Sequence, residues 1–173
     1  MNDFTLYNPT KIIFGKSSLK SLSKLLSQGK FKKVFLTFGK GSLKNSSLYK
    51  EVIKELKSFE YCEFWGIEPN PRVETIRKAV IEARKFNPDI ILAIGGGSVI
   101  DGTKLLVGSY YSEIDPWELV LDFSKVKKVL PLACILTVAA TGTEMDSFGV
   151  ITNWEKNEKR AIEDIRIIRY SQF

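Results

Sequence analysis

The chain has 173 residues, 26 Lys+Arg against 20 Asp+Glu, a formal charge of +6 and no histidine. Apolar residues make up 44% and charged residues 27%, the balance of a folded domain rather than a disordered chain. The missing histidine excludes a Ser-His-Asp triad, a histidine base and a histidine metal ligand here, and Cys62 and Cys134, far apart with no CxxC pair, exclude a disulfide framework and a cysteine zinc site.

No apolar run approaches the ~20 residues of a spanning helix, so no membrane role is expected. Two isolated cysteines suit a reducing, cytoplasmic setting. Residues 1–57 hold 12 lysines against Asp3, Glu51 and Glu55, a net of +9, and the remainder carries −3. All the basic residues of that half are lysine, and no aromatic-interleaved motif accompanies them. They read as a solvated face and not a nucleic-acid surface, though the field helps attract a phosphorylated small molecule.

In chain order, residues 4–14 suggest two short extended segments broken at Asn8-Pro9. A helix follows from Ser17 or Ser18, with Leu19, Leu22, Leu25 and Leu26 on one face and Gly29 at its end. Residues 33–38 (KVFLTF) form a buried strand that runs into Gly39-Lys40-Gly41-Ser42. A helix over 47–58 leads to a strand over 61–65, and Glu68-Pro69-Asn70-Pro71 is a loop because proline disfavours helix before it. Val73, Ile76, Val80 and Ala83 mark a third helix, stopped by Asn87-Pro88. Residues 89–94 (DIILAI) are a strand that ends in Gly95-Gly96-Gly97-Ser98, where a fourth helix starts. Residues 110–128 are a more polar stretch around Asp115-Pro116-Trp117. Residues 130–138 are another buried strand, followed by the turn at Thr141-Gly142-Thr143, and 148–152 form a short extended segment.

Strands and helices alternate, and the central strands are apolar throughout rather than every second residue. That pattern describes an α/β fold with a parallel sheet covered on both faces. It predicts that the three glycine-bearing turns share one sheet edge, the edge where open α/β folds bind ligands. At Gly95-Gly96-Gly97-Ser98, backbone N–H groups unshielded by Cβ meet the positive end of a helix, which makes a pyrophosphate cradle. Asp101 lies one turn into that helix. The Gly39 loop begins like GxGxxG but lacks the third glycine, and it is not a Walker A loop.

Several segments resemble the iron-containing (group III) alcohol dehydrogenases, most of all the butanol dehydrogenase subgroup. They are Tyr7-Asn8-Pro9-Thr10-Lys11-Ile12-Ile13-Phe14-Gly15, Gly39-Lys40-Gly41-Ser42, Glu68-Pro69-Asn70-Pro71, Gly95-Gly96-Gly97-Ser98-Val99-Ile100-Asp101, Ala140-Thr141-Gly142-Thr143-Glu144-Met145 and Val150-Ile151-Thr152-Asn153. The resemblance implies a Rossmann-like parallel sheet flanked by helices, the N-terminal domain of a dehydroquinate synthase-like/iron alcohol dehydrogenase fold. It also implies hydride transfer between a nicotinamide and a small alcohol/aldehyde pair. By the same resemblance, Gly95, Gly96, Gly97 and Ser98 hold the cofactor pyrophosphate with Asp101 in support, and Thr137 and Thr141 lie along the cofactor. Gly39, Lys40, Gly41 and Ser42 meet the adenosine ribose, Asn70 lies nearby, and Lys159 reaches the nicotinamide-side ribose. Lys40 stands where NAD-selective relatives usually carry an acid, so the expectation leans to NADP over NAD. Asp146 replaces the subgroup's asparagine, and its carboxylate is expected to weaken binding at the nicotinamide end.

The family's divalent metal, iron or zinc, is held by an all-helical C-terminal domain that these residues do not include. The sequence therefore suggests a dinucleotide-binding domain over 1–160 and a divergent tail over 161–173, as a truncation or frameshift would produce. Ile162, Ile165, Ile167 and Ile168 of that tail fit helix or strand equally. On this reading the chain supplies the cofactor half of a dehydrogenase, carries no catalytic or metal-ligating residue itself, and exposes an apolar face that drives self-association or a homo-oligomer. The alternatives are a non-catalytic nucleotide-binding or interaction module, half of a split enzyme, or a dehydroquinate synthase or glycerol dehydrogenase relative, the last disfavoured by ATGTEM.

Overall fold

The computed structural model describes residues 8–164. Strands β1 (Lys33–Phe38), β2 (Glu60–Trp65), β3 (Ile90–Gly95) and β4 (Leu132–Leu136) form one parallel sheet in the order β2-β1-β3-β4. Helices α1 (Leu22–Gln28), α2 (Ser47–Glu55), α3 (Val73–Phe86), α4 (Gly97–Ser109) and α5 (Pro116–Leu121) surround it. A separate antiparallel hairpin joins β5 (Phe148–Asn153) to β6 (Glu158–Glu163).

Strand alternation divides the core in two. Val34, Leu36, Phe38, Ile90, Leu92 and Ile94 pack with Leu22, Leu26, Val52 and Leu56 of the α1–α2 side. Phe35, Ile91 and Ala93 point the other way, into the residues of α3, α4 and α5. Both faces are therefore apolar, which is why β1 and β3 read as unbroken apolar runs. Thr37 is the polar residue inside β1, and its hydroxyl meets that of Thr103 at 2.7 Å. Thr103 donates to the Val99 carbonyl, so Thr37 is the donor of the pair.

Helix α4 is buried nearly all round, as an apolar helix without a polar face must be. Small residues let its neighbours close on it. A Cβ at Gly102 would stand 3.0–3.2 Å from Ile76, Pro71 and Ile67, and one at Gly108 would meet the Phe123 ring at 2.7 Å. Its last carbonyls are taken up by Arg84, which donates to Ser109 and Tyr110 and also to Ser112. Those are the acceptors that a helix end leaves unpaired.

Some expected boundaries differ. Helix α2 stops at Glu55 rather than 58, and β4 is shorter than 130–138 because Val138 already projects into solvent. The polar stretch 110–128 contains a short helix. Asp115 caps α5 through the Trp117 amide at 2.9 Å with Pro116 in the first turn, and a 3-10 turn follows at Phe123–Lys125. The burial of Trp117, Leu119, Val120 and Phe123 holds the segment in place. Residues 8–14 form no strand, and residues 4–7 lie outside the described residues. The ambiguity at Ile162 resolves to strand, since it is buried in β6 opposite Gly149. Ile165, Ile167 and Ile168 also lie outside the described residues.

Candidate functional site

The sheet order places the candidate site. The chain moves from β1 to β2 in one direction, then crosses β1 to reach β3 in the other. The reversal falls between β1 and β3, and a crevice opens there at the carboxyl ends of the strands. Because β1, β3 and β4 are parallel, the loops at 39–42, 95–98 and 137–143 all emerge on that edge, as expected, together with 66–71 after β2.

The three glycines between β3 and α4 have different surroundings. A Cβ at Gly95 would lie 2.6 Å from Val99 Cγ2, so the strand end passes directly under the first helical turn. A Cβ at Gly96 would meet nothing within 4 Å, and at Gly97 it would touch Thr143 and Thr141 at 3.5 and 3.8 Å. Gly96 is the N-cap, so the amides of Gly97 and Ser98 have no carbonyl four residues back within the helix. A side chain at Gly96 would project into space that no residue beyond its chain neighbours fills, next to this helix start. The Ser98 hydroxyl accepts the Asn70 amide at 3.3 Å, and Asn70 Oδ1 accepts Lys159 Nζ at 2.8 Å. Three candidate residues from α4, the 66–71 loop and β6 are thus joined in a row.

At the first loop, Gly41 takes φ +115°, a conformation that suits glycine. Lys40 and Ser42 are exposed. Beside the loop, the Phe38 and Trp65 rings stack at 4.0 Å, and Lys44 Nζ lies 5.0 Å above Trp65. Glu63 accepts from Tyr49 Oη at 2.8 Å and from Trp65 Nε1 at 2.7 Å. The bond to Glu63, with burial second, pushes the Tyr49 hydroxyl up to about 12. The sequence reading did not find this aromatic and acidic floor, because its members come from three different elements.

The third loop is stapled to α4. Thr137 N donates to Gly95 O at 3.0 Å, continuing the β3–β4 ladder, and Thr141 is exposed. Thr143 is buried and donates to Asp101 Oδ1 at 2.6 Å, while Asp101 Oδ2 accepts the Val150 amide at 3.1 Å. Lys104, only 2% exposed, donates to Thr143 Oγ1 at 2.9 Å, to Asp146 O at 3.0 Å, to Asp146 Oδ1 at 2.7 Å and to Phe148 O. The Asp146 carboxylate therefore has a cation beside it, which the sequence reading did not anticipate. Lys104 itself was missed. The signal was present, a single lysine inside the apolar run of α4, but its partners lie 39–44 residues away. Nearby, burial and then the Glu144 charge push the Cys134 thiol up to about 11.

The model of iron-containing alcohol dehydrogenases matches residues 9–168. The chain belongs to the iron-containing alcohol dehydrogenase family. It is 44% identical over 161 residues to NADH-dependent butanol dehydrogenase B of Clostridium acetobutylicum, covering 92% of this chain and 41% of that one. It is 37% identical over 170 residues to an NADPH-dependent aldehyde reductase of Escherichia coli, covering 96% and 43%. The crystal structure of NADH-dependent butanol dehydrogenase A from Thermotoga maritima superposes with a TM-score of 0.92 at 33% identity, covering 98% of this chain and 43% of that one. The chain thus spans about two fifths of the length of the relatives it matches.

The family name implies iron. The chain has no histidine, and among the described residues no group of three His, Cys, Asp or Glu side chains converges as metal ligands would. The residues described do not fit a metal centre, and no chemical step is derived through one.

Proposed function

We propose that this chain is the dinucleotide-binding half of an NAD(P)-dependent alcohol dehydrogenase of the butanol type. The observation that carries the reading is the helix start at Gly96-Gly97-Ser98. It opens beside the sheet's switch point, with unfilled space where a Gly96 side chain would stand and the Gly39 and Thr141 loops after the neighbouring strands. A pyrophosphate accepts from the amides of Gly97 and Ser98, where the helix dipole also favours negative charge. Gly39, Lys40, Gly41 and Ser42 take the adenosine ribose with Asn70 nearby, Thr137 and Thr141 lie along the cofactor, and Lys159 takes the nicotinamide-side ribose. The bound cofactor would supply the hydride acceptor or donor, and the chain's own residues bind it, orient it and shield one side from water.

Lys40 supports a preference for NADP over NAD, because an exposed ammonium beside the adenosine ribose complements a 2′-phosphate. The named relatives include both NADH- and NADPH-dependent enzymes. The substrate of the whole protein is a small primary alcohol or its aldehyde. Two free cysteines support a cytoplasmic location, and no described helix is long and apolar enough to cross a membrane. The exposed Phe14, Val138, Met145 and Phe148 support self-association or docking of a further domain.

Titration of the purified chain with NADPH and NADH, followed by the reduced nicotinamide's fluorescence, tests the reading. Saturable binding of either is expected, with NADPH tighter and Lys40→Glu reversing the order. Absence of binding by both would refute it. Light scattering tests the association, and a monodisperse monomer at all concentrations would count against it.

A further inference from the structure

We infer that Lys104 is a positioning residue, which presets the 141–148 loop over the anion cradle of α4 without touching a ligand itself. The inference rests on the dinucleotide reading above. An ammonium has three hydrogens to give, and all four acceptors around Lys104 lie on residues 143–148. It is the one cation of a largely buried helix and is itself almost wholly buried. A buried charge without partners is costly, so α4 at this position requires the loop to close over it. Buried ion pairs are seldom the most stabilising way to fill a core, which leaves geometry as what Lys104 contributes.

The geometry leads back to the candidate site through Thr143. Its hydroxyl accepts from Lys104 and donates to Asp101, and its Cγ2 lies 3.5 Å from the point where a Cβ on Gly97 would be. Thr143 is therefore fixed against the helix start, and the exposed Thr141 is carried with it. The same lysine balances Asp146, so a nicotinamide approaching this side meets an ion pair and not a bare carboxylate. Asp146 also accepts the Phe148 amide at 2.9 Å, which locks the loop onto the first residue of β5.

The test uses the chain with Lys104→Met and with Lys104→Met/Asp146→Asn, the second leaving no unpaired charge should the first fold poorly. Dissociation constants are measured for NADPH or NADH, whichever the unsubstituted chain prefers, and for the matching adenylate fragment, adenosine 2′,5′-bisphosphate or AMP. The dinucleotide should weaken about tenfold while the fragment stays within about twofold, because the fragment lacks the nicotinamide half that approaches Asp146. Equal weakening of both, or of neither, would overturn the assignment. Hydrogen exchange without nucleotide gives a second readout. The amides of Met145, Phe148 and Val150 should lose protection while those of β1 and β3 keep theirs. Unchanged protection in the loop would overturn the assignment. If the unsubstituted chain binds no dinucleotide, the functional reading fails, and the exchange result still decides whether Lys104 positions the loop.

Discussion

Replacing Gly96 by alanine should separate binding from stability. Gly96 has φ −87° and ψ −174°, extended backbone that alanine adopts freely, and no atom beyond its chain neighbours lies within 4 Å of the added Cβ. The folded chain therefore loses nothing, while its unfolded state loses freedom, for a gain of about 0.4–1 kcal/mol. The added methyl group stands beside the Gly97 amide, which follows it in the chain, at the start of α4. An anion displaced from one such amide forfeits a hydrogen bond to a charged group, about 1.5–3 kcal/mol, or roughly ten- to a hundredfold in affinity. Gly95→Ala is the contrast. Its Cβ would fall 2.6 and 2.9 Å from Val99 Cγ2 and Cβ, and a β-branched residue in a helix has little choice of rotamer. That overpacking should cost about 1–3 kcal/mol. Urea unfolding with nicotinamide fluorescence titration measures both effects. A folded Gly96→Ala chain that binds dinucleotide within about twofold of the unsubstituted one would refute the cradle. Equal destabilisation by the two substitutions would refute the geometry behind it.

Three further outcomes follow from the packing. Arg77 holds the Asp115 carboxylate below its usual range through bonds of 2.7 and 2.9 Å. A depressed carboxyl adds stability above its unfolded pKa and loses it as pH falls through the folded value. Asp115→Asn keeps the cap of α5, so at neutral pH it should cost about 0.5–1 kcal/mol for this partly exposed pair, with the difference closing in acid; a gap independent of pH in urea titrations would contradict this. Thr103→Val leaves the Thr37 hydroxyl buried without its acceptor and should cost about 1–3 kcal/mol, much of it recovered in Thr37→Val/Thr103→Val; thermal melts of the three variants decide. With its thiol pushed up to about 11 and half-buried, Cys134 should alkylate at pH 8 about two orders of magnitude more slowly in the folded chain than in guanidinium. Mass spectrometry of iodoacetamide-treated protein would show otherwise if the residue were accessible.

What could be read from the sequence follows what is local. β1 and β3 are apolar on both faces because helices cover both, so their composition alone marks them as central strands. The GGGS turn declares itself because the same residues end a strand and start a helix. Helix α5 was overlooked although Asp115-Pro116 is a sound start signal, since six residues among Glu118, Asp122 and Lys125 become a helix only when Trp117 and Phe123 find the core. Strand β6 carries Glu158, Lys159, Arg160 and Glu163, with Ile162 its single buried apolar side chain. Its pairing with β5 about the turn at Asn157, φ +51°, makes it a strand. The partners of Asp146 were hidden for the same reason. A carboxylate in a loop reads as free until the fold sets Lys104 beside it.

The enclosure of α4 also bears on motion. With the Phe123 ring filling the place of a side chain at Gly108, Arg84 gripping its last carbonyls and Pro71 and Ile76 close against Gly102, the helix has no room to slide or tilt. Its N-terminus is an anvil whose shape is set before any ligand arrives, so an anion bound there needs little reorganisation of the protein. Of the three glycine-bearing turns at this edge, 39–42 is the one neither continuous with α4 nor tied to it by the Lys104 and Thr143 bonds.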